Sequence, residues 1–358
     1  MPSTNAPDNT GTETAERPKA AVPSRARRLR NGRRPAWLGW AGALAVVVGC
    51  LALQSQLYTG QERTVTTVFM FVALASAWNL IGGYTGYACF GQVGFFGLGG
   101  YTTAFLMVHG GLSFWLALPL SATVAAGFAA VVGLPLLRLK GHYFAVATLG
   151  VAEGLRELVI NVPGWTGGGA GITIPTAGAK APTPWIGNDG FYLLFLALAV
   201  LSVLVAALIS GGRTGYALRA VNQDEDAAAS MGINTTRAKT LAFAVSAALT
   251  GAAGSAYAFQ QVTIFPARLF DVDITVLMVV MVVIGGAATI AGPILGAVGI
   301  AAVSEYLRQH FTEAHTFTLG ALVIAAVVLL PQGVVNFTRD AARTRDFSLL
   351  TNIRRYRL

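Results

Sequence analysis

Residues 213–226 read RTGYALRAVNQDED, a polar stretch in a chain that is apolar over long runs on both sides of it. The polar segment as a whole extends from Gly211 to Lys239, which is long enough for two short helices. It contains none of the residue combinations that an enzyme would need. A membrane protein that keeps such a segment outside the bilayer is expected to present it to another protein.

The composition places the chain among membrane proteins. Apolar residues make up 54% of the 358 residues, charged residues only 11%, and there are 42 glycines. A soluble chain of this length needs more charge to cover its surface, and abundant glycine is typical of closely packed spanning helices. Because lipid cannot hydrogen-bond to the backbone, we expect an all-α fold.

Apolar runs of about 20 residues, the length that crosses the hydrocarbon core, recur along the chain and predict a polytopic protein with about ten transmembrane helices. They lie near residues 37–57, 64–83, 90–109, 114–137, 142–160, 190–210, 239–260, 273–290, 293–309 and 316–333. Two glycine-rich junctions, Gly82–Gly91 and Gly285–Gly292, have the sequence that a broken or re-entrant helix would also have.

Basic residues predict the orientation. Twenty of the 25 lysines and arginines fall on one side of the predicted membrane, and this bias assigns that side to the cytoplasm. Both tails lie there: residues 1–36, which lack apolar periodicity and are predicted to be disordered, and residues 336–358. The transmembrane domain between them, 37–335, contains the polar loop at 211–238. Nucleic acid is not an expected partner, because no aromatic side chains interleave with the basic residues.

The polar segment itself carries helix signals. Gly215 to Val221 can form a short helix, and Asp224 is a candidate N-cap for a second one. The acidic run that starts at Asp224 suits a helix N-terminus, and Gly232 can end the second helix. Four apolar side chains are expected to be available for contact with a partner: Tyr216, Leu218, Val221 and Met231.

Two groups of polar residues inside predicted spans are candidates for a substrate pathway. Glu153, Arg156 and Glu157 share one helical face; they either line the route or form an internal ion pair, and the pair is the preferred interpretation. Among the glycine-rich spans, Asn79, Gln92 and Thr102 could donate hydrogen bonds to a zwitterionic substrate, although close helix packing is the default explanation for the glycines there.

Enzymatic functions have little support. The four histidines are scattered, no His, Cys, Asp and Glu cluster has metal-ligand spacing, and no phosphate-binding Gly-x-x-x-x-Gly-Lys-Ser/Thr sequence occurs. We therefore expect no cofactor and no metal in this chain.

The motifs resemble a known family when they are taken in order. Residues 212–221 (GRTGYALRAV) with Met231-Gly232-Ile233-Asn234 are similar to the cytoplasmic coupling segment of branched-chain amino acid ABC transporter permeases, in particular LivM-like subunits. Further matching motifs are WNLIGGYTG at 78–86, GQVGFFGLGGY at 91–101, LRLKGHYFA at 137–145, IGG at 284–286 and PQG at 331–333. The chain departs from the family pattern at Ala287-Ala288-Thr289, where a further glycine is usual.

The resemblance implies a permease subunit in the bacterial cytoplasmic membrane. Its expected partners are a homologous second permease, two cytoplasmic ATPase subunits that bind ATP and Mg²⁺, an extracytoplasmic substrate-binding protein and the lipid bilayer. The residues that the resemblance assigns to ATPase coupling are Arg213, Gly215, Tyr216, Leu218, Arg219, Ala220, Val221, Asp224, Ala228, Met231 and Gly232. The substrate could be leucine, isoleucine or valine, or a related small amino acid or amide.

Two other functions remain open at this point. A standalone ion-coupled carrier or channel would need acidic or sodium-binding groups near the middle of several spans, and the chain shows few besides the group around Glu153. A membrane scaffold without transport would leave the glycine-rich outer loop between Asn161 and Asp189 and the broken spans unexplained.

Overall fold

The structure is a computed structural model that describes residues 46–52, 54, 58–176, 182–310, 320, 321, 324 and 333–338. The chain divides into two units between Val48 and Gly49, and the architecture below is that of the second unit. The predicted tail 1–36, nearly all of the tail 336–358, and most of the predicted spans 37–57 and 316–333 lie outside the described residues.

Helices form most of the described chain. In order they are α1 (Thr59–Thr85), α2 (Gln92–Val108), α3 (Phe114–Leu136), α4 (His142–Asn161), α5 (Pro163–Thr166), α6 (Gly187–Gly211), α7 (Arg213–Gln223), α8 (Glu225–Ser230), α9 (Thr235–Gln261), α10 (Pro266–Leu269), α11 (Val272–Gly285) and α12 (Ala291–His310). Residues 46–52 and 334–338 are also helical.

The structure supports several membrane spans without confirming ten. Within the described residues, α1, α3, α6 and α9 are long and apolar enough to cross a membrane, and the apolar stretch Ala291–Leu307 of α12 is shorter. The remaining predicted spans are less clear: α2 and α11 have only 17 and 14 residues, and α4 has 20 residues but carries three charged ones.

Both glycine-rich junctions separate helices. α1 ends at Thr85, Gly86 adopts a left-handed conformation with φ +76°, and α2 begins at Gln92. At the second junction α11 ends at Gly285, Gly286 has φ +121°, and α12 begins at Ala291. A side chain is strained at such φ values, so glycine allows the chain to turn there.

The helix α9 packs closely against α2, α3 and α1. A Cβ atom added to Gly99 on α2 would lie 2.1 Å from the Gly251 carbonyl oxygen, and one added to Gly254 would lie 2.0 Å from the Phe96 carbonyl oxygen. These glycines therefore bring the two backbones into contact, which is the usual role of small residues between membrane helices.

One correction to the all-α prediction lies at the far end of α9. Two short strands, β1 (Ile172–Thr173) and β2 (Thr263–Ile264), pair antiparallel with Ile172 opposite Ile264. Strands of two residues that pair across about 90 positions leave no local periodicity in the sequence, so the pattern could not reveal them. We call this end of the helices the hairpin side and the end that carries α7 and α8 the loop side.

Candidate functional site

The polar loop folds into the two helices that the sequence predicts. Its first helix, α7, is longer than the predicted Gly215–Val221 segment and runs from Arg213 to Gln223. Asp224 then caps α8, because its side chain accepts hydrogen bonds from the backbone of Asp226 at 2.9 Å and Ala227 at 3.0 Å. Gly232 follows the helix with φ +85°. The predicted N-cap is confirmed.

One face of the loop is buried against its own chain. Leu218 is fully buried in a cluster that includes Leu80 and Tyr84 of α1 and Ala206 of α6, and Val221 is 4% exposed. The expectation that Leu218 and Val221 are available to a partner is therefore wrong: they hold the loop against the helix ends. Ala228 of α8 is buried in the same way.

Gly215 is required for this close packing. A Cβ atom at that position would lie 2.4 Å from the carbonyl oxygen of Ile209 and 2.5 Å from that of Ser210. Any side chain would push α7 away from the end of α6, so the glycine serves contacts within the chain.

A buried ionic network joins the loop to three other segments. Lys239, whose side chain is 3% exposed, contacts Glu225 at 2.6 Å between Nζ and Oε1. Its Nζ also donates to the Leu137 carbonyl oxygen at 2.8 Å and to the Tyr87 hydroxyl at 3.1 Å. The Tyr87 hydroxyl in turn donates to Glu225 Oε2 at 2.5 Å. We call these four residues the Glu225 network.

The electrostatics of the network favour the ionised carboxylate. Burial alone raises the pKa of Glu225, but the hydrogen bonds from Lys239 and Tyr87 outweigh it and hold that pKa below its usual value. The pKa of Tyr87 is raised, first by burial and then by its hydrogen bond to Glu225. Tyr87 therefore stays protonated and donates to the carboxylate.

Further contacts fix the loop to the end of α1. The Asn222 amide donates to the Gly83 carbonyl oxygen at 3.1 Å, and the Arg219 guanidinium lies 5.4 Å from the centre of the Tyr84 ring. An exposed ion pair between Lys140 and Asp226, 2.9 Å long, links α8 to the turn between α3 and α4. The loop thus contacts the ends of several spanning helices.

The opposite face of the loop is open to solvent. Tyr216 is 67% exposed and Met231 is 84% exposed. Arg213 and Arg219 are also exposed, and Arg219 lies 5.9 Å from the centre of the Tyr216 ring. We call Arg213, Tyr216, Arg219 and Met231 the loop surface. Of the coupling candidates, Ala220 is half-buried, and Asp224 and Gly232 are exposed.

Two of the pathway candidates hold helices together. Asn79 is 1% exposed; its amide nitrogen donates to the Thr289 carbonyl oxygen at 2.9 Å and its amide oxygen accepts from Ala288 at 3.0 Å. It therefore fastens the second glycine-rich junction to α1. Gln92, fully buried, donates to the hydroxyls of Ser246 and Thr250 on α9. Thr102 is half-buried on α2.

The charged candidates lie together on α4. Arg156 Nε donates to Glu153 Oε1 at 2.9 Å, and its Nη2 lies 3.2 Å from Glu157 Oε1. The three side chains are 31 to 53% exposed. One arginine therefore bridges two carboxylates on a face that the described residues leave uncovered. Over the described part of the chain, no group of His, Cys, Asp and Glu residues could hold a metal ion.

The sequence did not identify Tyr87, Asn222 or Lys239 as site residues. Lys239 counted only as one of the basic residues on the cytoplasmic side, and Tyr87 lies within a glycine-rich junction. The partners of Tyr87 and Asn222 are more than 130 positions away in the chain. Contacts between residues so far apart in sequence follow from tertiary packing, and no local sequence pattern predicts them.

Comparisons with known proteins find a matching family model and two similar proteins. A family model described as branched-chain amino acid transport system / permease component matches residues 60–327. The chain is 32% identical over 332 residues to the high-affinity branched-chain amino acid transport system permease protein LivM of Salmonella typhimurium, covering 85% of this chain and 76% of that protein. It is 30% identical to LivM of Escherichia coli with the same coverage. No solved structure matches the chain significantly.

Proposed function

Because the chain belongs to the family of permease components of branched-chain amino acid transport systems, we propose that it forms half of the translocation pathway of an ATP-binding-cassette importer. The family is one of membrane transport subunits and not of enzymes. The substrates of this importer are leucine, isoleucine and valine, or related small amino acids and amides. The other half of the pathway is a homologous second permease.

The observation that carries this proposal is the polar loop. It offers an exposed loop surface on one face, and its other face is buried against the ends of α1, α6 and α9. A force applied to the loop surface would therefore reach the spanning helices directly. Two cytoplasmic ATPase subunits, which bind ATP and Mg²⁺, supply that force, since the sequence has no phosphate-binding loop of its own.

Three contacts provide routes by which a loop displacement reaches the membrane helices. Leu218 packs against α1 and α6, and Asn222 is hydrogen-bonded to the last turns of α1. Glu225 is connected to Tyr87 in the junction before α2 and to Lys239 at the start of α9. Alternating access would follow if these helices shift together between two arrangements that the ATPase and the substrate each favour.

The remaining features of the importer follow from the same assignment. The loop side faces the cytoplasm of a bacterial cell, as the excess of basic residues indicates, and both termini lie on that side. The hairpin side then faces the extracytoplasmic binding protein that delivers the amino acid. Asp271 and Asp273, both exposed at the start of α11, lie on that side.

Affinity purification of the chain from its host in mild detergent, after crosslinking in intact membranes, tests the proposal. We expect a second permease and two ATPase subunits in near-equal amounts. Recovery of the chain alone would overturn the proposal of an importer subunit and favour a standalone ion-coupled carrier.

A pair of variants tests the role of the loop surface in the same assay. Replacing Tyr216 and Arg219 by alanine should release the ATPase subunits while the second permease is retained. The matched control is Trp165→Ala, which removes a similarly exposed aromatic ring, 66% exposed, on the hairpin side. Equal ATPase recovery in the two variants would show that the loop surface is not the docking site.

A further inference from the structure

The helix α4 runs from the loop side to the hairpin side, as the longer spanning helix α9 does. Near its start, Lys140 is paired with Asp226 on the loop side. Beyond its end, the Thr166 hydroxyl donates to the Val159 carbonyl oxygen, and the following strand pairs Ile172 with Ile264 just after α9. With 20 residues at about 1.5 Å each, α4 is about 30 Å long, which matches the hydrocarbon core.

The described part of the chain covers only one face of α4. Phe144, Thr148 and Ala152 are buried, and a Cβ atom on Gly94 of α2 would lie 3.1 Å from the Ala152 Cα atom. The opposite face is open: Tyr143 is 78% exposed and Val146 is 72% exposed. Among the residues that the structure describes, this full-length helical face has no neighbour.

The uncovered face carries charge at the middle of its length. Glu153 lies 11 positions after His142, or about 17 Å along the axis, close to the middle of a core of about 30 Å. Arg156 and Glu157 follow one turn later, and the two carboxylates exceed the single guanidinium by one negative charge. Ionised side chains at this depth are costly against lipid and usually face protein or water.

The same face has room for a helix to approach. Gly150 and Gly154 are exposed and four residues apart, and a Cβ atom at either position would meet nothing within 4 Å. They lie on both sides of Glu153 in sequence. A second helix can come close at these two glycines and bring hydrogen-bond donors to the carboxylates.

We propose that the second permease subunit packs against this face of α4, which we call the α4 face: Tyr143, Val146, Gly150, Glu153, Gly154 and Glu157. The partner presents small residues opposite the two glycines and a basic or hydrogen-bonding side chain opposite Glu157, which offsets the surplus negative charge. The identity of the partner rests on the proposed function; the location of the contact rests on the charge and shape of the face.

Two glycine substitutions test the contact. Gly154→Leu should reduce the second permease recovered with the purified chain by about tenfold, because the leucine occupies the space that the partner needs. Gly127→Leu is the matched control, since Gly127 is also exposed, also has nothing within 4 Å of an added Cβ atom, and lies on α3. Equal recovery of the second permease in the two variants would overturn the proposal.

Spin labelling gives a second measurement that does not depend on the folding of the leucine variant. In a background with Cys50→Ser and Cys89→Ala, nitroxides are placed at Val146 and at Leu158, which follows Gly154 by four positions and is 59% exposed. They are compared with a nitroxide at Val131 on α3, which is 70% exposed. In the assembled complex, oxygen and a water-soluble nickel reagent should both be excluded from positions 146 and 158, while position 131 stays accessible to oxygen.

The other outcomes have definite meanings. Accessibility to oxygen at 146 and 158 would mean that they face lipid, and accessibility to nickel that they line an aqueous path; either result overturns the contact. If a second permease does not co-purify with the unsubstituted chain, the proposed function fails as well. If the second permease co-purifies while the labels remain accessible, only the proposed contact at the α4 face is wrong.

Discussion

Lys239 is the residue at which three segments of the chain converge. Its ammonium group contacts the loop through Glu225, the end of α3 through the Leu137 carbonyl oxygen, and the first glycine-rich junction through Tyr87, whose ring centre lies 4.6 Å away. Leaving one partner of a buried ion pair without the other typically costs about 3–5 kcal/mol. The exposed pair between Lys140 and Asp226 contributes much less, about 0–1 kcal/mol.

The ionisation of Glu225 predicts a pH dependence of stability. Its pKa in the folded protein is lowered, so the stabilisation is complete above the unfolded pKa of about 4.3 and is lost as the pH falls through the folded pKa. The difference in melting temperature between the unsubstituted protein and Glu225→Gln should therefore be constant above about pH 5 and shrink at lower pH. Thermal unfolding in detergent between about pH 3 and 7 measures it. A difference that grows on acidification would contradict the assignment.

Ala288 offers a second test at the residue scale. It has φ +58°, a left-handed conformation that costs an alanine about 1 kcal/mol or more, and its N–H donates to Asn79. Ala288→Gly removes the strain, keeps the hydrogen bond and should raise stability by about 0.5–1 kcal/mol. The same change at the neighbouring Ala287, which is not among the left-handed residues, should lower stability. Melting temperatures of the two variants check this.

At the scale of elements, the sequence predicted the features that depend on local chemistry. The helix breaks at Gly86 and Gly286 and the cap at Asp224 follow from residues within a few positions of each other. The burial of Leu218 was missed because the polar segment looks like an exposed loop until α1 and α6 are placed beside it. The strand pair and the Glu225 network were missed for the same reason, since their partners are distant in sequence.

The packing of α2 against α9 makes an element-scale prediction. Gly99→Ala introduces a Cβ atom 2.1 Å from the Gly251 carbonyl oxygen, so the helices must separate, at a cost of about 2 kcal/mol. Gly127→Ala on α3 has open space and should be neutral or stabilising by up to about 1 kcal/mol, because alanine favours helix. Folded yield and melting temperature compare the two. Similar losses in both variants would mean that the close approach of α2 and α9 does not limit stability.

At the scale of the whole molecule, the two sides of the membrane domain are built differently. The loop side joins α1, α3, α6 and α9 through α7, α8 and a buried ionic network. The hairpin side joins α4 and α9 through a short strand pair and the turns around it. A displacement that enters at the loop side is therefore distributed over several helices at once, which is what the proposed coupling to a separate ATPase requires.

This arrangement predicts uncoupling when the Glu225 network is weakened in the assembled importer. A hydrogen bond to a charged group contributes about 1.5–3 kcal/mol, so Glu225→Gln should lower amino acid uptake per ATP hydrolysed by about tenfold. ATP hydrolysis should change little, because the loop surface, the proposed docking site of the ATPase, is untouched. Uptake and hydrolysis are measured together in proteoliposomes with the binding protein, and Asp226→Asn, which alters only the exposed pair with Lys140, is the control. If uptake and hydrolysis fall in proportion, the network maintains the fold and does not transmit the movement of the loop.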